Sequence, residues 1–216
     1  MSGSVVVVDY GIGNVFSVCN ALKQVGAEPK LTRDIPTILA ADRLILPGVG
    51  AFGRAMDAIR GFHLDETVSR YVETGRPFMG ICIGMQVLMD SSSEFGAHEG
   101  LGLISGTVER IPGTTTTGEP LRVPHISWAQ VGPAPSRSQA DWTASPVSDP
   151  VGLLDFYFVH SYHCQPSDPD CLLAQADYGG NAITAAVKRD NILGVQFHPE
   201  RSGPAGLAVL NRFISD

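Results

Sequence analysis

The chain has 216 residues, with 44% hydrophobic and 17% charged side chains, 24 glycines and 15 prolines. That length fits one α/β domain or at most two small ones, with enough apolar material for a sizeable core. A net charge of −7 and the lack of any basic cluster argue against nucleic acid, which needs Lys and Arg gathered on one face. The valine run near the N-terminus has no basic flank and no cleavage site, and no segment approaches the roughly eighteen apolar residues of a membrane span. A soluble cytoplasmic protein is therefore expected, with no membrane partner. Cys19, Cys82, Cys164 and Cys171 form no CxxC pair, which speaks against a disulfide framework or a zinc site.

Ser4–Asp9 is a continuous apolar run closed by an acid, the pattern of a strand buried on both faces of a parallel sheet. Val15, Val18, Cys19, Leu22 and Val25 then recur at helical spacing, and Gly26 marks the stop. Pro29–Thr32 and Arg43–Leu46 read as strands, Ala55–Ile59 and Asp65–Thr74 as helices, and Arg76–Ile81 as a strand running into Cys82. Strands alternating with helices predict βαβ units in a doubly wound sheet. Beyond about Gly102 the texture changes. Leu103–Ile111, Arg122–Val131, Leu154–Tyr162, Cys171–Ala176, Ala182–Arg189 and Ile192–Phe197 read as short strands, closed by a helix over Ala205–Ile214. The fold expected is a single α/β domain over residues 1–216. Its central sheet is mixed but mostly parallel, flanked by helices and more antiparallel in the C-terminal half. Gly132–Pro150, rich in Pro, Ser and Ala, is expected to be a surface loop without chemistry.

The sharpest motif is Gly80-Ile81-Cys82-Ile83-Gly84-Met85-Gln86. A nucleophile between a strand and a helix sits on a sharp, strained turn, and small residues two positions to either side leave room for it. The helix beginning at Ile83 would aim free N–H groups at the thiolate, and the Ile83 amide would help hold an oxyanion. The motif also closes a predicted central strand, where open α/β sheets place their ligands. The alternative for Cys82 is a buried core cysteine on an ordinary glycine turn. A cysteine nucleophile needs a base, and the base an orienting group. Phe197-His198-Pro199-Glu200 ends the last predicted strand, where residues two apart share a side, so Glu200 could hold the His198 ring.

Cys82 with an oxyanion-type loop and a late HPE resembles the class I (triad) glutamine amidotransferases. The resemblance implies that Cys82 attacks the side-chain carbonyl of L-glutamine, that His198 protonates the departing ammonia and then activates water, and that Glu200 orients His198. Within the family, VDYGIGN, LPGVGAFG, GICIGMQVL, EGLGLISG, PHISW, FYFVHSYH and GVQFHPERSG resemble, in order, the glutaminase subunits of imidazole glycerol phosphate synthases. That likeness implies backbone oxyanion donors at Val49 and Gly50 beside Ile83. It implies a glutamine site at Gly48, Gln86, Glu94, Ser161 and Tyr162, with Glu94 facing the α-ammonium. A glycine turn at 47–50 and a solvated loop at Glu94 are the plainer alternatives. His160 and His163, three apart on an extended strand, face opposite sides, which argues against a metal pair. No dissociable cofactor and no metal is implied.

The same likeness implies a heterodimer with a (β/α)₈-barrel cyclase that receives the ammonia, faced by Asn14, Trp128 and Arg201. Asn14 equally suits a helix N-cap. The family's PHMGWN stands here as PHISWA, with Ser127 for glycine and Ala129 for asparagine, and its HPEKSG as HPERSG, with Arg201 for lysine. These departures leave open a diverged paralogue serving another synthase. In a cysteine peptidase or hydrolase on a related fold the histidine usually follows the nucleophile directly, where Ile83 stands here, and a non-catalytic scaffold has no use for an intact triad.

Overall fold

The computed structural model describes residues 3–148 and 155–215. In chain order the elements are β1 (Val5–Val8), α1 (Val15–Gln24), β2 (Pro29–Thr32), α2 (Ile35–Ala40), β3 (Arg43–Gly48), α3 (Phe52–Gly61), α4 (Leu64–Glu73), β4 (Phe78–Cys82) and α5 (Ile83–Gln86). There follow β5 (Ser91–Ser92), β6 (His98–Glu99), β7 (Gly106–Arg110), β8 (His125–Pro133), α6 (Gln139–Thr143), β9 (Asp155–His160) and β10 (Tyr162–Pro166). Last come β11 (Leu172–Tyr178), β12 (Asn181–Arg189), β13 (Ile192–Val195) and α7 (Gly203–Ser215).

Nine strands form one sheet in the order β2-β1-β3-β4-β13-β12-β11-β8-β9. The half from β2 to β13 is parallel and the half from β13 to β9 antiparallel. The mixed α/β fold is as expected, and the reason lies in burial. All four valines of β1 and all five residues of β4 are buried, as strands covered on both faces must be. In β8 the exposed positions 126, 128 and 130 alternate with less exposed ones, the mark of a strand with one open face. The core runs unbroken from the valines of β1 through Leu44, Phe78 and Val195 to Phe156 and Phe158.

The sheet is not the only one. A second, four-stranded sheet has the order β10-β7-β5-β6. The predicted strand Leu154–Tyr162 is split between the two sheets. β9 ends at His160 against β8, and β10 begins at Tyr162 against β7, so the chain changes sheets at Ser161. Leu154 itself lies outside the described residues. Two other strands are shorter than expected. β7 begins at Gly106, held at φ 148° with the Gln165 carbonyl pressed against it, and β8 begins after Pro124, which has no N–H for a ladder. α2 was not expected, although Asp34 caps it by accepting from Thr37 N at 3.0 Å and Pro36 sits in its first turn.

The expectation of a surface loop at 132–150 needs correction. Gly132 and Pro133 finish β8, and Ser138 caps α6 by accepting from Asp141 N. Trp142 and Val147 are buried in the core cluster, so the bulk of the indole, not the Pro/Ser/Ala composition, decides the segment's place. Asp149 and Pro150 lie outside the described residues. Among the described residues no helix is long and apolar enough to cross a membrane.

Candidate active site

β4 lies between β3 and β13, parallel to both, and Cys82 is its last residue. The backbone there turns through φ 55°, ψ −111°, outside the regions open to ordinary L-residues. Such a conformation costs about 1–3 kcal/mol and persists only where the surroundings enforce it. They do so through two glycines: a Cβ on Gly80 would overlap the Gly84 carbonyl, and one on Gly84 would overlap the Leu46 carbonyl oxygen. The expected helix after Cys82 is only the single turn of α5, so few peptide dipoles add up behind the sulfur.

β13 stops at Val195, and Pro199–Arg201 form a 3-10 turn with His198 at its start. Glu200 thus meets His198 through a turn rather than along a strand as expected, since proline suits a first-turn position. His198 Nδ1 and Glu200 Oε1 are 2.8 Å apart, and both side chains are almost wholly buried. The turn is pinned to β9: His198 N donates to the Tyr157 carbonyl at 3.0 Å, Tyr157 N to Ser202 Oγ at 2.9 Å, and Ser202 Oγ–H to the His198 carbonyl at 2.6 Å. His198 Nε2 has no hydrogen-bond partner among the described residues. Contacts of this kind are commonly loose before substrate arrives.

Burial by itself pushes the His198 pKa down, but the nearby Cys82 sulfur and the Glu200 carboxylate outweigh it and raise the ring to about 10. An imidazolium at neutral pH is what a thiolate partner requires. A value above the ordinary histidine pKa of about 6.5 makes this charge stabilising below that pH, and the contribution is lost as pH rises through about 10. The stability difference between the wild type and Glu200→Gln, followed by urea unfolding, is therefore expected to narrow from pH 7 to pH 10. A constant difference would contradict the pairing.

Cys82 and His198 line one pocket, together with Val49, Gly50, Ile83, Gln86, Glu94, Ser161 and Tyr162. Every glutamine-site and oxyanion position expected from the sequence is therefore in its wall, except Gly48. Gly48 lies just beneath: a Cβ there would stand 2.5 Å from the Tyr10 hydroxyl and 2.9 Å from Ile83 Cβ. Glu94 is buried rather than solvated. Its Oε2 accepts from Phe52 N, at the first turn of α3, at 2.6 Å. Gln86 Nε2 donates to the Tyr162 carbonyl at 2.9 Å, while Gln86 Oε1 is buried without a partner among the described residues, free for a donor on the substrate.

Two features escaped the sequence reading. Gln196 is fully buried beside Cys82, with Nε2 at 3.6 Å from Sγ. His160 lines the pocket, and burial lowers its pKa to about 3 despite the bond to the Tyr162 carbonyl, so it is neutral. Its Nδ1 donates to that carbonyl at 2.8 Å, which leaves Nε2 to accept from His125 Nδ1 at 3.3 Å. His125 Nε2 must then accept from Ser127 Oγ at 2.8 Å. Ser127, where the related motif has glycine, thus completes a buried polar chain. Ser127→Ala is expected to lower the unfolding free energy by about 1 kcal/mol, as for one lost hydrogen bond, measured by urea titration. His163 lies on a different sheet from His160 and accepts from Thr184 N at 3.4 Å. Among the described residues no group of three or more His, Cys, Asp or Glu could hold a metal.

The three partner-facing candidates lie outside the pocket. Asn14 occupies the N-cap position of α1 but its side chain makes no capping bond, so that role is not filled. Trp128 is 54% exposed and meets Tyr157 edge-on at 6.2 Å, and the exposed Arg201 guanidinium sits 5.0 Å above the same Tyr157 ring.

Cys82, at the strained end of a central strand, thus shares a pocket with His198, whose buried partner Glu200 follows from the neighbouring strand. The profile of the family "Glutamine amidotransferase class-I" matches residues 6–216, and the chain belongs to that family. Within it, the chain is 44% identical over 213 residues to "Imidazole glycerol phosphate synthase subunit HisH" of Syntrophotalea carbinolica, covering 97% of this chain and 98% of that one. It is 40% identical to "Imidazole glycerol phosphate synthase subunit HisH 1" of Legionella pneumophila (strain Lens), covering 98% of each. In "Imidazole glycerol phosphate synthase hisHF, chloroplastic" of Arabidopsis thaliana, 97% of this chain matches at 44% identity but takes up only 34% of the plant protein. A crystal structure described as a glutamine amidotransferase shares the fold with a TM-score of 0.69 at 21% identity, covering 98% of this chain and 97% of that one.

Proposed function

We propose that the protein is the glutaminase subunit of an imidazole glycerol phosphate synthase, hydrolysing glutamine with Cys82, His198 and Glu200 and passing the ammonia to a partner in histidine biosynthesis. The observation that carries the chemistry is the shared pocket wall of Cys82 and His198, with Glu200 fixing the far side of the ring. Cys82 Sγ attacks the side-chain amide carbon, and the oxyanion forms where the Ile83 amide and the Val49–Gly50 backbone line the pocket. His198 gives its proton to the leaving nitrogen, and the acyl-enzyme retains the glutamate half. His198, now neutral, takes a proton from water as it attacks the thioester, releasing glutamate and the thiolate. Glu200 keeps Nε2 aimed at the reacting atoms throughout. The buried Glu94 carboxylate suits the α-ammonium, and the backbone at Ser161–Tyr162, where the chain passes from one sheet to the other, suits the α-carboxylate.

The partner we infer is a (β/α)₈-barrel cyclase. The plant relative supports it, since most of that protein lies outside the part this chain matches. Ile126 and Trp128, exposed on the same face of β8, together with Tyr157 and Arg201 form an apolar, cationic patch suited to a docking surface. Arg201 keeps the charge of the lysine found in the related motif, and its stacking on Tyr157 is a use that suits arginine better. Gly50, at φ 94°, can turn its peptide at little cost, so docking could switch the oxyanion donors on.

The test is glutamate release by the purified chain, alone and with the cyclase and its nucleotide substrate. Stimulation of about 10²-fold is expected, which corresponds to a coupling free energy of about 3 kcal/mol. A high rate in the lone chain, unchanged by the cyclase, would defeat the coupled reading.

A further inference from the structure

A thiolate in the pocket needs donors, and α5 is a single turn that offers little dipole. What faces the sulfur is Gln196, which follows β13, is fully buried and is fixed in the sheet by its own N–H to the Ala185 carbonyl at 2.9 Å. Its amide could in principle present either oxygen or nitrogen to the sulfur. A chain of bonds decides between them. The Tyr162 carbonyl can only accept, so Gln86 turns its NH₂ toward it, at 2.9 Å. The second N–H of that NH₂ points at Gln196, 3.0 Å away, and needs an acceptor there. Gln196 must therefore turn its oxygen toward Gln86, which leaves its NH₂ toward Cys82 Sγ at 3.6 Å. The orientation is imposed by a main-chain group three links from the sulfur.

We propose that Gln196 is a further catalytic residue, whose side-chain N–H donates to the Cys82 sulfur and favours its thiolate. The proposal rests on the reading of Cys82 as the nucleophile. The geometry makes the donor permanent, because the network needs neither substrate nor partner to form. It complements His198, which supplies charge from the neighbouring turn while Gln196 supplies direction from within the sheet. Burial places this bond out of reach of water, where a charge-assisted hydrogen bond is at its strongest.

The experiment follows modification of Cys82 by iodoacetamide in the intact chain from pH 6 to pH 10, read peptide by peptide by mass spectrometry. Gln196→Met removes the donor, and Gln196→Glu keeps the shape and the bond to Gln86 while presenting only acceptors to sulfur. At pH 7 the Cys82 rate is expected to fall about three- to tenfold in the first variant and further in the second, the scale of one charge-assisted hydrogen bond at a weak acceptor. The deficit should close as the pH approaches 10, where hydroxide removes the proton unaided. Cys19, partly exposed and far along the chain, reports in the same sample that the fold is intact, and its rate should not change. A Cys82 rate equal to wild type at pH 7, or a deficit that persists at every pH, would overturn the proposal. If instead Cys82→Ala retained glutaminase activity, the nucleophile reading itself would fail, whatever the alkylation showed.

Discussion

Replacing Gly84 by alanine is expected to abolish glutamate release and to destabilise the chain by about 3 kcal/mol or more, the range of a severe backbone clash in a packed core. The added methyl would occupy the place of the Leu46 carbonyl oxygen, and backbone cannot swing aside as a side chain can. Leu46 belongs to β3, whose Gly48 pairs with Cys82, so relief of the clash must part β3 from the turn that carries Cys82. The two effects are separable. Denaturant unfolding reports the packing loss, and activity at a denaturant-free, fully folded temperature reports the displaced turn. Wild-type turnover in a folded Gly84→Ala protein would show that the elbow does not need its crowded geometry.

Cys82→Ala is expected to lower turnover by at least about 10⁴-fold while the melting temperature moves by only a few degrees. A nucleophile acts as a unit with its base, so adding His198→Ala should cost little more. The same variant carries a second reading by NMR. Removing the sulfur takes away one of the two groups that hold the His198 ring near 10, so its pKa should fall while the Glu200 bond remains. A histidine that still titrated near 10 would assign the whole shift to Glu200.

The motifs that could be read from the sequence are those whose parts lie close together along it. Gly80, Cys82 and Gly84 span five positions, and their crowding is a local consequence of one turn. Glu200 was placed beside His198 for a reason that the backbone does not use, a strand period where a proline-led turn stands. Gln196 could not be read at all, because its partners Cys82 and Gln86 are 114 and 110 positions away and only the sheet order joins them. α2 left two usable signals, Asp34 and Pro36, whereas β5 and β6 are two residues each, too short for any period to show. In the segment after β8, Trp142, the largest residue buried there, is outweighed in composition by the prolines and serines around it.

The place of β13 has a consequence for how the enzyme is born. Among the described residues it is the last strand in chain order, yet it inserts between β4 and β12 in the middle of the sheet, not at an edge. A growing chain therefore carries Cys82 long before it carries His198 and Glu200, with the parallel and antiparallel halves still unjoined. Closure of the sheet and completion of the site are one late event, paced by long-range strand pairing rather than by local helix formation.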